Sequence, residues 1–319
     1  MTGALDSVAV LFTHLPVCWA ALGASFEGRV ECANFTLWFP QPYTDEFGRL
    51  SNGLKPPFES DLWVSMADHD PWGEVQFDAA PSEGQPKGAL VSQVALKVCP
   101  EPEAGKGLVL ARNVAPQINE WFGRAVVWME LWTSTNLTSE EGVEPTTMWS
   151  IQFHDPLDSS VATWFPQERL NYFPPEVAIS KVILESAFSR ATGAVHPSDA
   201  WVLFLSASKS EDPRLAVIEV GTAVEVALSR AIHDRLAMLA EGARNQVIID
   251  AGGVVGLVRI LEKLDGDVPK SLVKRTMDQL ASPRNQAVHA AKEPSKDVLQ
   301  KAFQTAVELL TKYDPLPAP

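Results

Sequence analysis

DPRLAVIEVGTAVEVALSRAIHDRLAMLAE, residues 212–241, reads as a rod with almost no polar face. From Leu215 to Leu228 only Glu219, Gly221, Thr222 and Glu225 interrupt the apolar residues. The polar positions Glu219, Thr222, Glu225, Ser229 and His233 recur at intervals of three or four, so they fall on one narrow stripe of an α-helix. Asp212 is placed to cap it, and Pro213 fits the first helical position, where its missing N–H leaves no bond unmade. A surface helix has a far wider polar face. This one is expected to lie inside a helical bundle, with one polar line left for water or for a polar groove.

Helical periodicity extends on both sides of this rod. PPEVAISKVILESAFSRA (174–191) has apolar residues at helical spacing, and Ser198 in HPSDAWVLFLSASKS is a plausible N-cap. VIIDAGGVVGLVRILEKL (247–264) also reads as helical, although Gly252, Gly253 and Gly256 oppose it. LDGDVP breaks the chain, SLVKRTMDQLA (271–281) is a further helix, and EPSKDVLQKAFQTAVELLTKY (293–313) closes the bundle.

The amino-terminal part is written differently. It holds nine of the ten tryptophans, within residues 1–164, and is cut by PSEGQPKG (81–88), EPEAGKG (101–107) and TSEEGVEP (138–145). Between these turn-rich pieces lie short β-branched and aromatic runs: FEGRVECANFTLWF (26–39), DLWVSM (61–66), LVSQVALKVC (90–99), GRAVVWMELWT (123–133) and MWSIQF (148–153). Runs of that length read as strands, and two of them partly alternate. The expectation is an α+β chain of two domains: a β-rich, sandwich-like domain over 1–173 and an all-α bundle over 174–319.

Composition limits the function classes. The formal net charge is -14, yet residues 212–319 hold 14 Lys+Arg against 14 Asp+Glu, so the excess acid lies in the first two-thirds. That surface repels nucleic acid and anionic membranes, while the last third is free to carry a local basic patch. Three widely spaced cysteines, Cys18, Cys32 and Cys99, give neither a C-x-x-C pair nor a disulfide framework, which points to a reducing, cytoplasmic setting. The sequons at Asn34 and Asn136 carry no meaning there. The apolar stretch 7–24 follows Asp6, lacks a basic flank and contains His14 and Pro16, so it does not read as a signal peptide. No run reaches membrane-spanning length, and no cluster of metal-ligand spacing or cofactor motif is present.

The residues that suggest chemistry lie in LASPRNQAVHAAKEP (280–294). Ser282 before Pro283 reads as the start of a helix, which places Arg284 and Asn285 in its first turn. Unpartnered amides and the helix dipole favour an anion at such a position. Asn285 and His289 are four apart and share a face. Arg284 lies about 140° from His289 around an ideal helix, so only a long side chain brings the two together. A capped helix with a surface arginine and a half-buried histidine accounts for the same residues.

With its flanks, this pattern resembles a HEPN domain (higher eukaryotes and prokaryotes nucleotide-binding), an all-α bundle with an Arg, a following polar residue that is often Asn, and a His after four to six intervening residues. Arg284, Asn285 and His289 match with four intervening. The preceding helix ending in MDQLASPRN, the turn EPSKD and the amphipathic VLQKAFQTAVELL match as well. The early helix IEVGTAVEVALSRAI resembles the acid-bearing helix of the family, with Glu225 the better match and Glu219 the other candidate. The resemblance covers residues 175–319 and is most specific over 277–310. It departs from those HEPN toxins that carry a modifiable Tyr two residues after the His, because Ala291 stands there.

The resemblance implies a metal-independent endoribonuclease, acting as a toxin or phage-defence effector under control of a ligand or trigger at the amino-terminal domain. In such chemistry a neutral imidazole takes the proton of the attacking 2′-OH. A guanidinium holds the phosphate oxygens bidentately and stabilises the developing charge. Asn285 is expected to orient one or the other. A homodimer through the bundle would supply a second histidine as the acid. Lys270, Lys274 and Arg275 are a candidate RNA-binding rim, with a solvated face as the alternative. Two further readings stay open: a non-catalytic RNA- or nucleotide-binding dimerisation module, and an interaction protein whose β domain carries the function.

Overall fold

The computed structural model describes side chains over residues 120–134 and 179–319, except Lys181 and Val268, and backbone elements alone over parts of residues 9–119 and 151–164. Helices are numbered in chain order: α1 Leu108–Thr133, α2 Lys181–Thr192, α3 Asp199–Lys209, α4 Pro213–Arg235, α5 Glu241–Ala251, α6 Val254–Asp265, α7 Lys270–Arg275, α8 Ser282–His289 and α9 Lys296–Tyr313. A π-helical segment, Thr276–Ala281, joins α7 to α8.

The expected α+β class with a β sandwich is overturned. Every helix or strand whose side chains are described is helical. The clearest misreading is 123–133, taken as a strand from its partial alternation, which is the second half of α1. Its buried apolar residues are Trp121, Phe122, Ala125, Val126, Trp128, Met129 and Leu131, a three-and-four spacing rather than a two-residue one. The helical period begins well upstream of Gly123, at Leu108, directly after the turn-rich EPEAGKG (101–107). Among the backbone segments, Ala9–Ala20 pairs antiparallel with Ala89–Val98 and with Ile151–Asp155 in a single sheet, so these strands do not supply the two facing sheets of a sandwich. DLWVSM (61–66) lies outside the described residues.

The chain divides into two compact units, 1–196 and 197–318. Helix α2 belongs to the first, although its sequence reads as the opening of the bundle. It packs on α1: Phe188 stacks on Trp121 with ring centroids 4.9 Å apart. The Trp121 indole donates to Thr192 Oγ1 at 3.0 Å, and the Trp128 indole donates to the Val195 carbonyl at 2.9 Å. The Arg190 guanidinium lies 4.7 Å from the Trp128 ring centre. Such aromatic pairs contribute about 0.5–1.5 kcal/mol beyond the area they bury.

The second unit is built around α4. Its buried residues, Ala216, Val217, Val220, Gly221, Ala223, Val224, Ala227, Leu228, Ala231 and Ile232, surround most of the rod. Asp212 caps it as expected, accepting from Arg214 N at 2.8 Å and from Leu215 N at 3.3 Å. Small side chains let α3, α6, α8 and α9 approach closely. Ser198 caps α3 and Ser295 caps α9. The stretch 247–264 is two helices, because Gly252 and Gly253 adopt φ of +65° and +117° and turn the chain between α5 and α6.

At the far end of this unit α4, α6 and α9 meet. Arg235 is ion-paired with Asp265 and lies 5.5 Å from the Tyr313 ring centre, and Lys312 reaches Asp267 at 3.0 Å. Burial, followed by the Asp265 and Asp267 charges, pushes the Tyr313 hydroxyl up to about 12. The folded form therefore holds its proton above the ordinary tyrosine range. The resulting stability is complete below about pH 10 and is lost as pH rises towards 12. Denaturant titrations at pH 9 and pH 11.5 check this: Tyr313→Phe, which also removes a buried hydroxyl without a hydrogen-bond partner, should reduce the loss between the two pH values.

Candidate functional site

The chain is helical without a break from Lys270 to His289. Ala281 and Ser282 have α-helical dihedrals and Ser282 makes no capping bond to the amides that follow, so the expected N-cap at Ser282 with Pro283 opening a helix is overturned. Proline is accommodated differently. A proline inside an α-helix loses one bond and meets the carbonyl four residues back. Here the preceding turn is widened into a π-helix, with the Ser282 amide donating to the Met277 carbonyl five residues back. The anion site argued from a free helix start therefore falls away.

The widened turn has a second effect. Leu272, Thr276 and Leu280 are buried at intervals of four. On an α-helix each such step drifts by about 40°, and a π turn takes up that drift. The next step is Arg284, which accordingly points inward to α4 rather than outward. Its Nη2 donates to Glu225 Oε2 at 2.9 Å, with the two side chains 25% and 24% exposed. The stem of Arg284 lies against Gly221, one turn before Glu225. The other carboxylate oxygen of Glu225 faces the Gly253 turn, and Arg284 Nε is buried with no hydrogen-bond partner among the described residues.

Asn285 and His289 occupy a different face of the same helix. They share a shallow groove of about 450 Å³ with Met277, Val255, Gln286 and Ala290. Arg284 does not line that groove, so within one chain the ion pair and the histidine stay on separate faces, in keeping with the 140° between them. Glu219, the alternative acid, makes no ion pair with Arg284, and its Oε2 is buried without a partner.

Of the basic rim, Arg275 is engaged: its Nη2 lies 2.7 Å from both carboxylate oxygens of Glu308. Lys270 and Lys274 are exposed. Sequence reasoning passed over Arg214, whose Nε donates to the Ala287 carbonyl at 2.9 Å near the end of α8, where a cation suits the helix dipole. A basic residue in the first turn of α4, which its own dipole disfavours, was the available signal. Gly221 was also missed as a contact of Arg284, although it lies four residues before Glu225 on the same face.

Among the described residues no helix is long and apolar enough to cross a membrane. Comparison with family models, with curated proteins and with solved structures finds no match for this chain.

Proposed function

We propose that the helical unit is a metal-independent endoribonuclease of HEPN type, serving as a toxin or phage-defence effector. The observation that supports this reading is the ion pair of Arg284 with Glu225 of α4, Arg284 sharing α8 with Asn285 and His289, which line an open groove on another face of that helix. Attack of a 2′-OH on the adjacent phosphorus needs a base, an acid and a cation at the phosphate. His289 is the base, Arg284 carries the phosphate charge, Asn285 orients, and Glu225 fixes the guanidinium. Lys270 and Lys274 follow the RNA backbone.

One histidine performs one proton transfer at a time, so the reading includes a homodimer in which the partner's groove supplies the acid. Incubation of the purified chain with total RNA tests it. Cleavage that persists in EDTA and leaves 2′,3′-cyclic phosphate ends is the expected result, and metal-dependent cleavage refutes it. Light scattering at micromolar concentration is expected to give twice the 34.8 kDa of one chain. A chain that cleaves as a strict monomer refutes the composite site.

A second reading has its own support. Arg284 and His289 face apart within one chain, as they would in a module that binds RNA or a nucleotide without cutting it. RNA binding with no new ends in the same incubation favours that module.

A further inference from the structure

Gly221 lies in the middle of α4 and is buried. Glycine there lowers helix stability relative to alanine, so its presence calls for a reason. A Cβ at this position would lie 2.4 Å from Arg284 Cδ, 3.0 Å from Nε and 3.2 Å from Cγ. These three nearest atoms all belong to one side chain. They are its middle, not its free end, and the end is tied to Glu225 Oε2 at 2.9 Å. Arg284 therefore cannot move aside and keep its bond. The acid borders the glycine turn between α5 and α6: a Cβ at Gly253 would be in ordinary van der Waals contact with Glu225 Oε1 at 3.4 Å.

We propose that Gly221 is a positioning residue: the missing side chain forms a slot across α4 in which the arginine stem lies flat, so that the guanidinium meets Glu225 in one fixed place. Its catalytic consequence rests on the ribonuclease reading, whereas its geometry does not. Glu225 alone leaves the arginine free to swing about the bond they share. The slot removes that freedom, because the stem is held along its length. A cation preorganised at a phosphate site acts without reorganising when charge develops there.

A double-mutant cycle in the full-length chain tests the slot without reference to RNA. Gly221→Ala is expected to lower the melting temperature by about 3 °C or more, the shift that an unrelieved clash in a packed core produces in a domain of this size. In an Arg284→Ala background the same change is expected to raise it, since the clashing atoms are gone and alanine is the better helix former. That reversal of sign is the decisive readout. A glycine kept for another neighbour would be harmful in both backgrounds, and one kept for no reason would be replaceable in both; either result overturns the proposal.

Activity is the second arm. Gly221→Ala is expected to lower kcat on RNA by about tenfold or more while KM changes less than about threefold, the pattern of a misplaced transition-state contact. Unchanged kcat in a folded variant overturns the positioning role. If the wild-type chain does not cut RNA at all, the ribonuclease reading fails, and the sign of the cycle still decides whether the slot exists.

Discussion

Replacing His289 by alanine is expected to remove RNA cleavage, with a loss of about 10²–10⁴-fold, the range of a general base. Folding should be untouched, because His289 is exposed and surface changes stay within about 0.5 kcal/mol. Arg284→Ala is expected to lose a comparable factor, about 10²–10³-fold, the usual range for removing one group that stabilises developing charge. Its effect on stability differs. Arg284 is only a quarter exposed and is the partner of Glu225, so its removal leaves a carboxylate without its cation and lowers stability by about 1–2 kcal/mol. The paired measurement is single-turnover cleavage of a labelled RNA alongside thermal unfolding. The two variants should look alike in cleavage and unlike in melting. Both cleaving RNA like the wild type would mean that the chemistry lies elsewhere. The same comparison for Asn285→Ala, whose side chain shares the groove with His289, should show a smaller loss.

The helical unit was legible where the local signals agree with one another. Asp212 and Pro213 announced α4, and Ser198 announced α3, because a side-chain cap and a compatible backbone dihedral are properties of two or three adjacent residues. The narrow polar stripe on α4 left one line for water or a polar groove, and Glu225 on that line lies 2.9 Å from Arg284. What failed depended on partners distant in sequence. The segment 123–133 alternates over a few residues by coincidence, and only the aromatic face it shares with Phe188 of α2 reveals its helical period. Ser282-Pro283 has the chemistry of a helix start. The chain there was already helical, and a widened turn absorbed the proline. Nothing in six residues of sequence distinguishes a capped start from a π turn, because the difference lies in whether Leu272, Thr276 and Leu280 bury on one face. The same lack of partner information hid Gly221: a glycine in a helix reads as a defect until the side chain that crosses it is known.

Glu225→Gln separates positioning from packing. Glutamine matches glutamate in shape and still offers an oxygen to Arg284 Nη2, so the contact at 2.9 Å survives as a neutral-acceptor hydrogen bond. What is lost is the charge. Both side chains retain about a quarter of their exposure, so solvent already screens the pair and its net worth is well below that of a fully buried one. A fall of about 1 kcal/mol, or about 2–4 °C in melting temperature, is therefore expected. Cleavage should fall by more than that figure implies. A guanidinium held by a charged partner keeps one orientation, and one held by an amide samples several, which lowers the fraction of molecules poised at the phosphate. The expected loss is about tenfold or somewhat more, short of the ~10²–10³ that follows removal of the charged group itself. Glu225→Leu sharpens the contrast, since it leaves a partly buried cation with no acceptor and should lower stability more than Glu225→Gln does. Activity that stays within about twofold in Glu225→Gln while melting drops would assign Glu225 to holding α4 against α8, with no part in presenting Arg284 to RNA.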